Sequence, residues 1–251
     1  MYKASIIIPY FKKKRFFKKT IQSIFNQTYR KFEVLIVYDD EDKKDLIFIK
    51  KLIKNDKRFK LIINKRNLGA GESRNIGIKM SKGKYICFID ADDIWKKNKL
   101  EIQINFMQKK NISFSHSSYE IIDKNNKFKG HRIAENYESF LELSKSCNIG
   151  LSSVIVRRSL LNNKLKFPKI KTKEDFVLWL RIIRGGTKIF GLKKSLVKWR
   201  KSENSLSSSS IQKIKDGFKV YNYYLNYNFF KSFYYLLILS LNYLKKNFLN
   251  S

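Results

Sequence analysis

The chain has 251 residues, 43% of them hydrophobic and 15% aromatic, which is enough apolar mass for a folded domain and too much for disorder over most of its length. Two prolines, ten glycines and two cysteines (Cys87 and Cys147) exclude collagen-like, Pro-rich, disulfide-framework and Cys-rich zinc architectures. Lys plus Arg number 54 against 21 Asp plus Glu, a net charge of +33; such a field favours anionic partners, although a lysine-biased composition produces the same excess.

The first 92 residues alternate regularly. Residues 4–8 read as a β-branched strand. Residues 16–25 carry Phe17, Ile21, Ile24 and Phe25 at helical spacing. A strand follows at 32–38, a helix at 45–53, a short strand at 61–63, a helix at 71–80 and a strand at 85–89. Short apolar strands without polar alternation are buried on both faces, and strands alternating with helices predict a mostly parallel, helix-covered α/β sheet.

The second half is less regular. Residues 100–109 read as helix, 113–122 and 127–133 as strands around a turn at 123–126, and 152–156 as a strand. Residues 172–175 precede an apolar helical pattern at Phe176, Trp179, Leu180 and Ile183. A strand at 189–199 is expected to break at Gly191. A Ser-rich linker at 205–210 leads to two helices at about 212–225 and 229–248. The expected division is a main domain over 1–207, with halves 1–93 and 94–207, and a helical tail over 208–251.

No secretory signal is visible, because the apolar run at 5–9 precedes the basic run at 12–15, the reverse of a signal's order. The most membrane-like run, 233–244, is shorter than the roughly 18–20 residues a spanning helix needs. The expected location is the cytoplasm. The tail's aromatic rings and lysines suit either a peripheral lie on an anionic inner membrane face or packing on the domain.

Acidic residues are scarce, so their placement carries information. Asp39-Asp40-Glu41-Asp42 follows the second strand, Asp90-Ala91-Asp92-Asp93 follows the fourth, and Glu174-Asp175 opens a later helix. Ligands of open parallel sheets bind outside the carboxyl ends of the strands, so the first two clusters should face one crevice. Asp-x-Asp at a strand end puts two carboxylates on one side. Such a pair suits Mg²⁺ or Mn²⁺ shared with substrate phosphates; a plain surface turn is the alternative.

Taken in order, these segments resemble glycosyltransferase family 2, the inverting nucleotide-sugar transferases of GT-A fold. The resemblance runs from Ser5 to about Ser207. It rests on the opening strand through Pro9-Tyr10-Phe11, on Gln27-Thr28-Tyr29, Asp39-Asp40, Asn67-Leu68-Gly69, Arg74-Asn75-Ile76-Gly77, Asp90-Ala91-Asp92-Asp93 and Glu174-Asp175. It implies a donor site for a nucleoside-diphosphate sugar, expected to be a UDP-sugar, formed by Pro9, Tyr10, Phe11, Asp39, Asp40, Arg74 and Asp90. It places Asp39 on the base and Asp90 near the ribose. It implies a divalent cation, Mg²⁺ or Mn²⁺, at Asp92 with Asp90, and leaves Asp93 either supporting the metal or capping the turn. Asp175 would be the catalytic base toward a saccharide or lipid-linked saccharide acceptor in surface-polysaccharide assembly; Thr172 and Asp175 also read as a helix-capping pair.

Three positions depart from the family pattern. Glu41-Asp42 stands where Gly-Ser is common, Lys12 replaces the usual Asn, and Trp199-Arg200-Lys201-Ser202 lacks the histidine of Tyr-Arg-x-His. Two rival readings are a sugar nucleotidyltransferase and a basic nucleic-acid-binding protein. The first wants a Gly-rich phosphate loop, and 9–15 has no glycine. The second wants base-reading or stacking motifs, which are absent, so no nucleic acid is expected.

Overall fold

In the computed structural model, residues 3–54, 56–201 and 210–249 are described. The first half builds β1 (Ala4–Tyr10), α1 (Lys14–Phe25), β2 (Phe32–Tyr38), α2 (Leu46–Ile53), β3 (Phe59–Ile63), α3 (Ala70–Met80) and β4 (Tyr85–Phe88). β1 runs parallel to β2 and β4, with Ile7 beside both Leu35 and Phe88, and β2 runs parallel to β3. All seven residues of β2 are buried, because helices cover both faces. Alternation divides the strands between two cores. Ile7, Leu35, Ile86 and Phe88 face one; Ile6, Ile8, Tyr10, Val34, Ile36, Tyr38 and Cys87 face the other. Each fully buried aliphatic side chain contributes about 1.5–3 kcal/mol.

The second half contributes β5 (Ile94–Trp95), α4 (Lys99–Lys109), β6 (Phe114–Ile122), β7 (Phe128–Arg132), α5 (Phe140–Lys145), β8 (Ile155–Arg157), α6 (Glu174–Arg184) and β9 (Phe190–Arg200). The sheet order is β3-β2-β1-β4-β8-β6-β9-β5, with β7 beside β6. β8 pairs antiparallel with β4 and β6, so the sheet runs unbroken from the parallel half into the mixed half.

Several boundaries differ from expectation. Residues 151–153 form a 3₁₀ turn, and the strand expected from 152 begins at Ile155. β9 is continuous through Gly191; its register shifts against β6 lie around Ser118 instead. Gly191 is there for space, since a Cβ would stand 2.6 Å from the Glu135 carbonyl oxygen. β5 and α5 were not expected. α5 is short but carries a complete capping box between Ser139 and Glu142.

The tail forms α7 (Ser210–Lys219), a π-helical turn over Val220–Tyr224, and α8 (Phe229–Leu249). Val220, Tyr221, Leu225 and Tyr235 join the core that holds Phe176 and Trp179. The Tyr221 hydroxyl donates to the Ser144 carbonyl at 2.6 Å. Phe229, Phe230, Phe233 and Tyr234 remain exposed. Most of the expected Ser-rich linker, 205–209, lies outside the described residues. No described helix is long and apolar enough to cross a membrane.

Candidate active site

The carboxyl ends of β1, β2 and β4 open on one side, and the loops there carry the first two acidic clusters. Asp39, just beyond β2, is buried. Its Oδ1 accepts from Asn64 Nδ2 and the Leu68 N–H, and its Oδ2 accepts from the Gly69 N–H, each at 2.8 Å. Asn67 Nδ2 donates to the Asp39 carbonyl. The Asn67-Leu68-Gly69 motif thus wraps around Asp39, with Gly69 at φ 85, a left-handed backbone that glycine adopts at little cost. A carboxylate accepts about four hydrogen bonds, so Asp39 retains capacity for one ligand donor. Asp40 accepts from the Asp42 N–H and closes the turn where Gly-Ser is commoner.

Pro9, Tyr10 and Phe11 divide. Pro9 is the penultimate residue of β1. Tyr10 is fully buried: its ring stacks on Tyr38 at 5.4 Å, and its hydroxyl donates to Asp45 at 2.6 Å. The strand alternation that puts Ile6 and Ile8 in that core takes the Tyr10 ring with them and leaves none of it exposed to stack on a ligand. Phe11 is 41% exposed, with the Lys12 ammonium 5.1 Å from its ring centre, so it is the aromatic of this loop that can stack on a ligand. Lys12 adopts φ 49, left-handed for a residue with a Cβ, and Lys13 follows it at the start of α1.

The Lys13 ammonium lies 2.7 Å from Asp92 Oδ2. Burial pushes the Asp92 carboxyl above its ordinary value, and Lys13 opposes that shift. Asp93 is buried and fully engaged. Its Oδ2 accepts from the Ser152 hydroxyl at 2.5 Å and its Oδ1 from the Arg200 N–H at 2.7 Å. Burial, then the charges of Asp92 and Asp90, hold its carboxyl well above the usual range. Asp93 therefore fastens the end of β9 and Ser152 to the loop after β4 through its two carboxylate oxygens.

Arg74 is the hub of the site. Its guanidinium is 4% exposed and donates to Asp90 Oδ1 at 2.7 Å and to Glu174 Oε1 at 2.6 Å. The two carboxylates raise its pKa against the opposing effect of burial. α3 can approach this closely because Gly77 lies against Ile7, where a Cβ would stand 2.5 Å from Cγ2. Gly71 lies against Glu174 in the same way, at 3.3 Å from Cγ.

Asp175 is the second residue of α6. Its Oδ1 accepts from the Phe176 N–H at 2.7 Å. Burial first, then the charge of Glu174, pushes its carboxyl up to about 6, against the pull of Arg74 and Lys173. The expected capping pair with Thr172 is not formed: Lys173 is the N-cap, at φ 65, and the Thr172 hydroxyl donates to Asp216.

Arg200 stands in the stretch that lacks the family histidine. It donates through Nε to the Asp92 carbonyl, through Nη1 to the Asp123 carbonyl and through Nη2 to Asn126 Oδ1. His116 is buried in β6 with Nε2 2.8 Å from the Glu135 carbonyl, and His131 is exposed on β7. Among the described residues, no third His, Cys, Asp or Glu joins Asp90 and Asp92 in a metal-binding cluster. The donor set still fits Mg²⁺ or Mn²⁺. Asp90 is one-third exposed, and Arg74 takes only one of its oxygens; these ions commonly use one or two carboxylates and complete their shell with phosphate oxygens and water. Sequence reasoning missed Lys13, Ser152 and Arg200. Only Arg200 lay in a stretch that the departure from the family pattern had marked.

The parallel-sheet crevice is edged by Asp39, Asp90 and Asp92 and is linked through one buried arginine, Arg74, to Glu174 of the second half. Residues 5–171 match the Glycosyl transferase family 2 profile, and the chain belongs to that family of glycosyltransferases. It is 38% identical to an Escherichia coli protein named UDP-Glc:alpha-D-GlcNAc-diphosphoundecaprenol beta-1,3-glucosyltransferase WfgD, over 85% of this chain and 83% of the relative. It is 28% identical to the putative teichuronic acid biosynthesis glycosyltransferase TuaG of Bacillus subtilis, over 91% and 90%. Its fold matches that of S. aureus TarS residues 1–349 in complex with UDP-GlcNAc, with a TM-score of 0.72 at 22% identity. That match covers 88% of this chain and 65% of the TarS fragment. The fold is GT-A.

Proposed function

We propose that this glycosyltransferase is metal-dependent and moves a sugar, with inversion, from a UDP-sugar to a hydroxyl of a lipid-linked saccharide during surface-polysaccharide assembly. One observation carries the reading: Arg74 ties Asp90, on the donor side, to Glu174, the neighbour of Asp175. The activity in the name of WfgD and the teichuronic acid assignment of TuaG support the substrate class.

Asp39, with Asn64 and the Leu68–Gly69 amides fixing its orientation, receives the base, and Phe11 stacks on it. Asp40 shapes the turn beside them, and Asp90 meets the ribose. Asp92 and Asp90 would hold Mg²⁺ or Mn²⁺, which when bound neutralises charge on the donor diphosphate. The acceptor oxygen attacks the anomeric carbon from the face opposite the diphosphate. The bond from that carbon to the diphosphate oxygen breaks, its electron pair leaves with the diphosphate, and Asp175 takes the hydroxyl proton. A base raised to about 6 is ionised at neutral pH yet basic enough to accept that proton.

The exposed aromatic face of α8, edged by lysines, suits peripheral attachment to the anionic cytoplasmic face of a membrane, where a lipid-linked acceptor would be met. The experiment is a donor screen with the full chain, Mg²⁺ or Mn²⁺ and a GlcNAc-diphospholipid acceptor, scoring nucleoside diphosphate release. Release from a UDP-sugar, lost in chelator, is expected. No release from any nucleotide sugar would overturn the reading.

A further inference from the structure

Asp216 is the only acidic residue beyond Glu203, in a tail otherwise charged only by lysine. It is buried in α7 and points at the domain. Its Oδ2 accepts from both the Thr172 N–H at 2.9 Å and the Thr172 hydroxyl at 2.8 Å. Gly217 follows it. A Cβ there would stand 2.7 Å from Leu236 Cδ1 and 3.4 Å from Lys173 Cε, so the Lys173 side chain lies across the glycine. The Tyr224 hydroxyl also donates to the Lys169 carbonyl. The tail therefore grips the segment that runs directly into Glu174 and Asp175.

That segment needs an external hold. Lys173 sits at φ 65, which a residue with a Cβ adopts only when its surroundings impose it, and its side chain gives α6 no capping hydrogen bond. A carboxylate accepting two hydrogen bonds from one residue fixes both the backbone and the χ1 of Thr172, three residues before the base.

We propose that Asp216, with Gly217 as its seat, is a positioning residue for glycosyl transfer: it locks Thr172 and Lys173 so that Asp175 is presented to the acceptor hydroxyl. The proposal rests on Asp175 being the base. It makes the tail part of the catalytic apparatus and not an appendage to it. The charged groups facing Asp175 are Glu174 and Lys173 beside it and Arg74 from α3; Asp216 acts on the backbone that carries them.

The test compares the full chain with Asp216→Ala, Asp216→Asn and Thr172→Val by two readouts. Amide hydrogen exchange over 172–178 should quicken about tenfold or more in Asp216→Ala. Transfer from UDP-glucose to a GlcNAc-diphospholipid should fall roughly 10- to 100-fold in kcat, with the Kd for UDP within about threefold and the acidic limb of the kcat profile displaced. Asp216→Asn, whose amide oxygen can still accept, should recover most of both. Thr172→Val, which keeps the backbone bond, should fall between; these two variants decide the matter if Asp216→Ala does not fold. A folded Asp216→Ala protein with unchanged exchange and kcat would overturn the proposal. Absence of transfer by the unmodified chain from every nucleotide sugar would overturn the glycosyl-transfer reading, and with it the catalytic half of this proposal. Unchanged exchange would instead refute the structural lock, whatever the activity.

Discussion

The Lys13 ammonium lies 2.7 Å from Asp92 Oδ2, so a lysine from the loop after β1 pairs with the carboxylate proposed to hold the metal. Replacing Lys13 by Met leaves Asp92 beside Asp90 and Asp93 without that cation. The expected cost is about 1 kcal/mol, since the pair is only partly buried. The Asp92 carboxyl is already raised by burial, and losing Lys13 raises it further. The cost is therefore present at pH 8 and shrinks as pH falls and Asp92 is protonated. Thermal melts at pH 8 and 5 check this. Added Mn²⁺ should recover more stability in Lys13→Met than in the unmodified chain.

Asp92→Ala should keep the fold and abolish metal-dependent donor binding. Calorimetric titration of UDP with and without Mn²⁺ measures it. An unchanged Mn²⁺ dependence would remove Asp92 from the metal site.

Asp175→Asn should bind donor normally and lose transfer by about 10²-fold or more. In the unmodified chain, kcat should fall as pH drops through about 6, because the protonated carboxyl cannot accept the hydroxyl proton. The stability sign is opposite. A carboxyl raised in the folded state holds its proton more tightly there than in the unfolded chain. Its contribution is complete below about pH 4, the ordinary range of an aspartic acid, and is lost as pH rises through about 6. Asp175→Asn should therefore melt higher than the unmodified chain at pH 7.5, and the difference should vanish near pH 4.

Arg74→Met removes the cation shared by Asp90 and Glu174. Leaving the largely buried Glu174 unpaired, with the one-third-exposed Asp90 adding less, should cost about 3 kcal/mol, read by denaturant unfolding. Arg74→Lys, with a single ammonium, cannot bridge both acids and should recover only part.

Tail attachment can be tested without dissecting the tail. Val220, Tyr221, Leu225 and Tyr235 are core residues, so truncation at 210 should unfold much of the second half. Phe230→Ser with Phe233→Ser changes only exposed positions. It should weaken co-sedimentation with anionic liposomes and leave the melting temperature unchanged. Binding should also decline with salt, as surface charges are screened over about 8 Å at physiological ionic strength.

The parallel half was legible because burial on both sheet faces turns strands into unbroken apolar runs; β2 occupies the expected residues 32–38. Elements of two and six residues, namely β5 and α5, are too short to show a period, and the three-residue β8 was legible but began later than expected, at Ile155. The acidic clusters were legible because acids are scarce in this chain. Their partners were not. Arg74 meets Glu174 across 100 residues and Asp216 meets Thr172 across 44, separations that only the tertiary fold closes. Lys13 was hidden in a basic run, and Thr172 suggested a cap because the spacing fits one. The burial of Tyr10 was readable in principle, since it shares a strand face with Ile6 and Ile8.

The most direct measurement is the anomeric configuration of the product, read by the proton coupling constant, from an α-linked UDP-sugar and a GlcNAc-diphospholipid acceptor, with Asp175→Asn run beside the unmodified chain. The predicted result is a β-linked product from the unmodified chain and at least about a 10²-fold loss in Asp175→Asn with donor binding intact. An α-linked product, or near-normal transfer by Asp175→Asn, would contradict it.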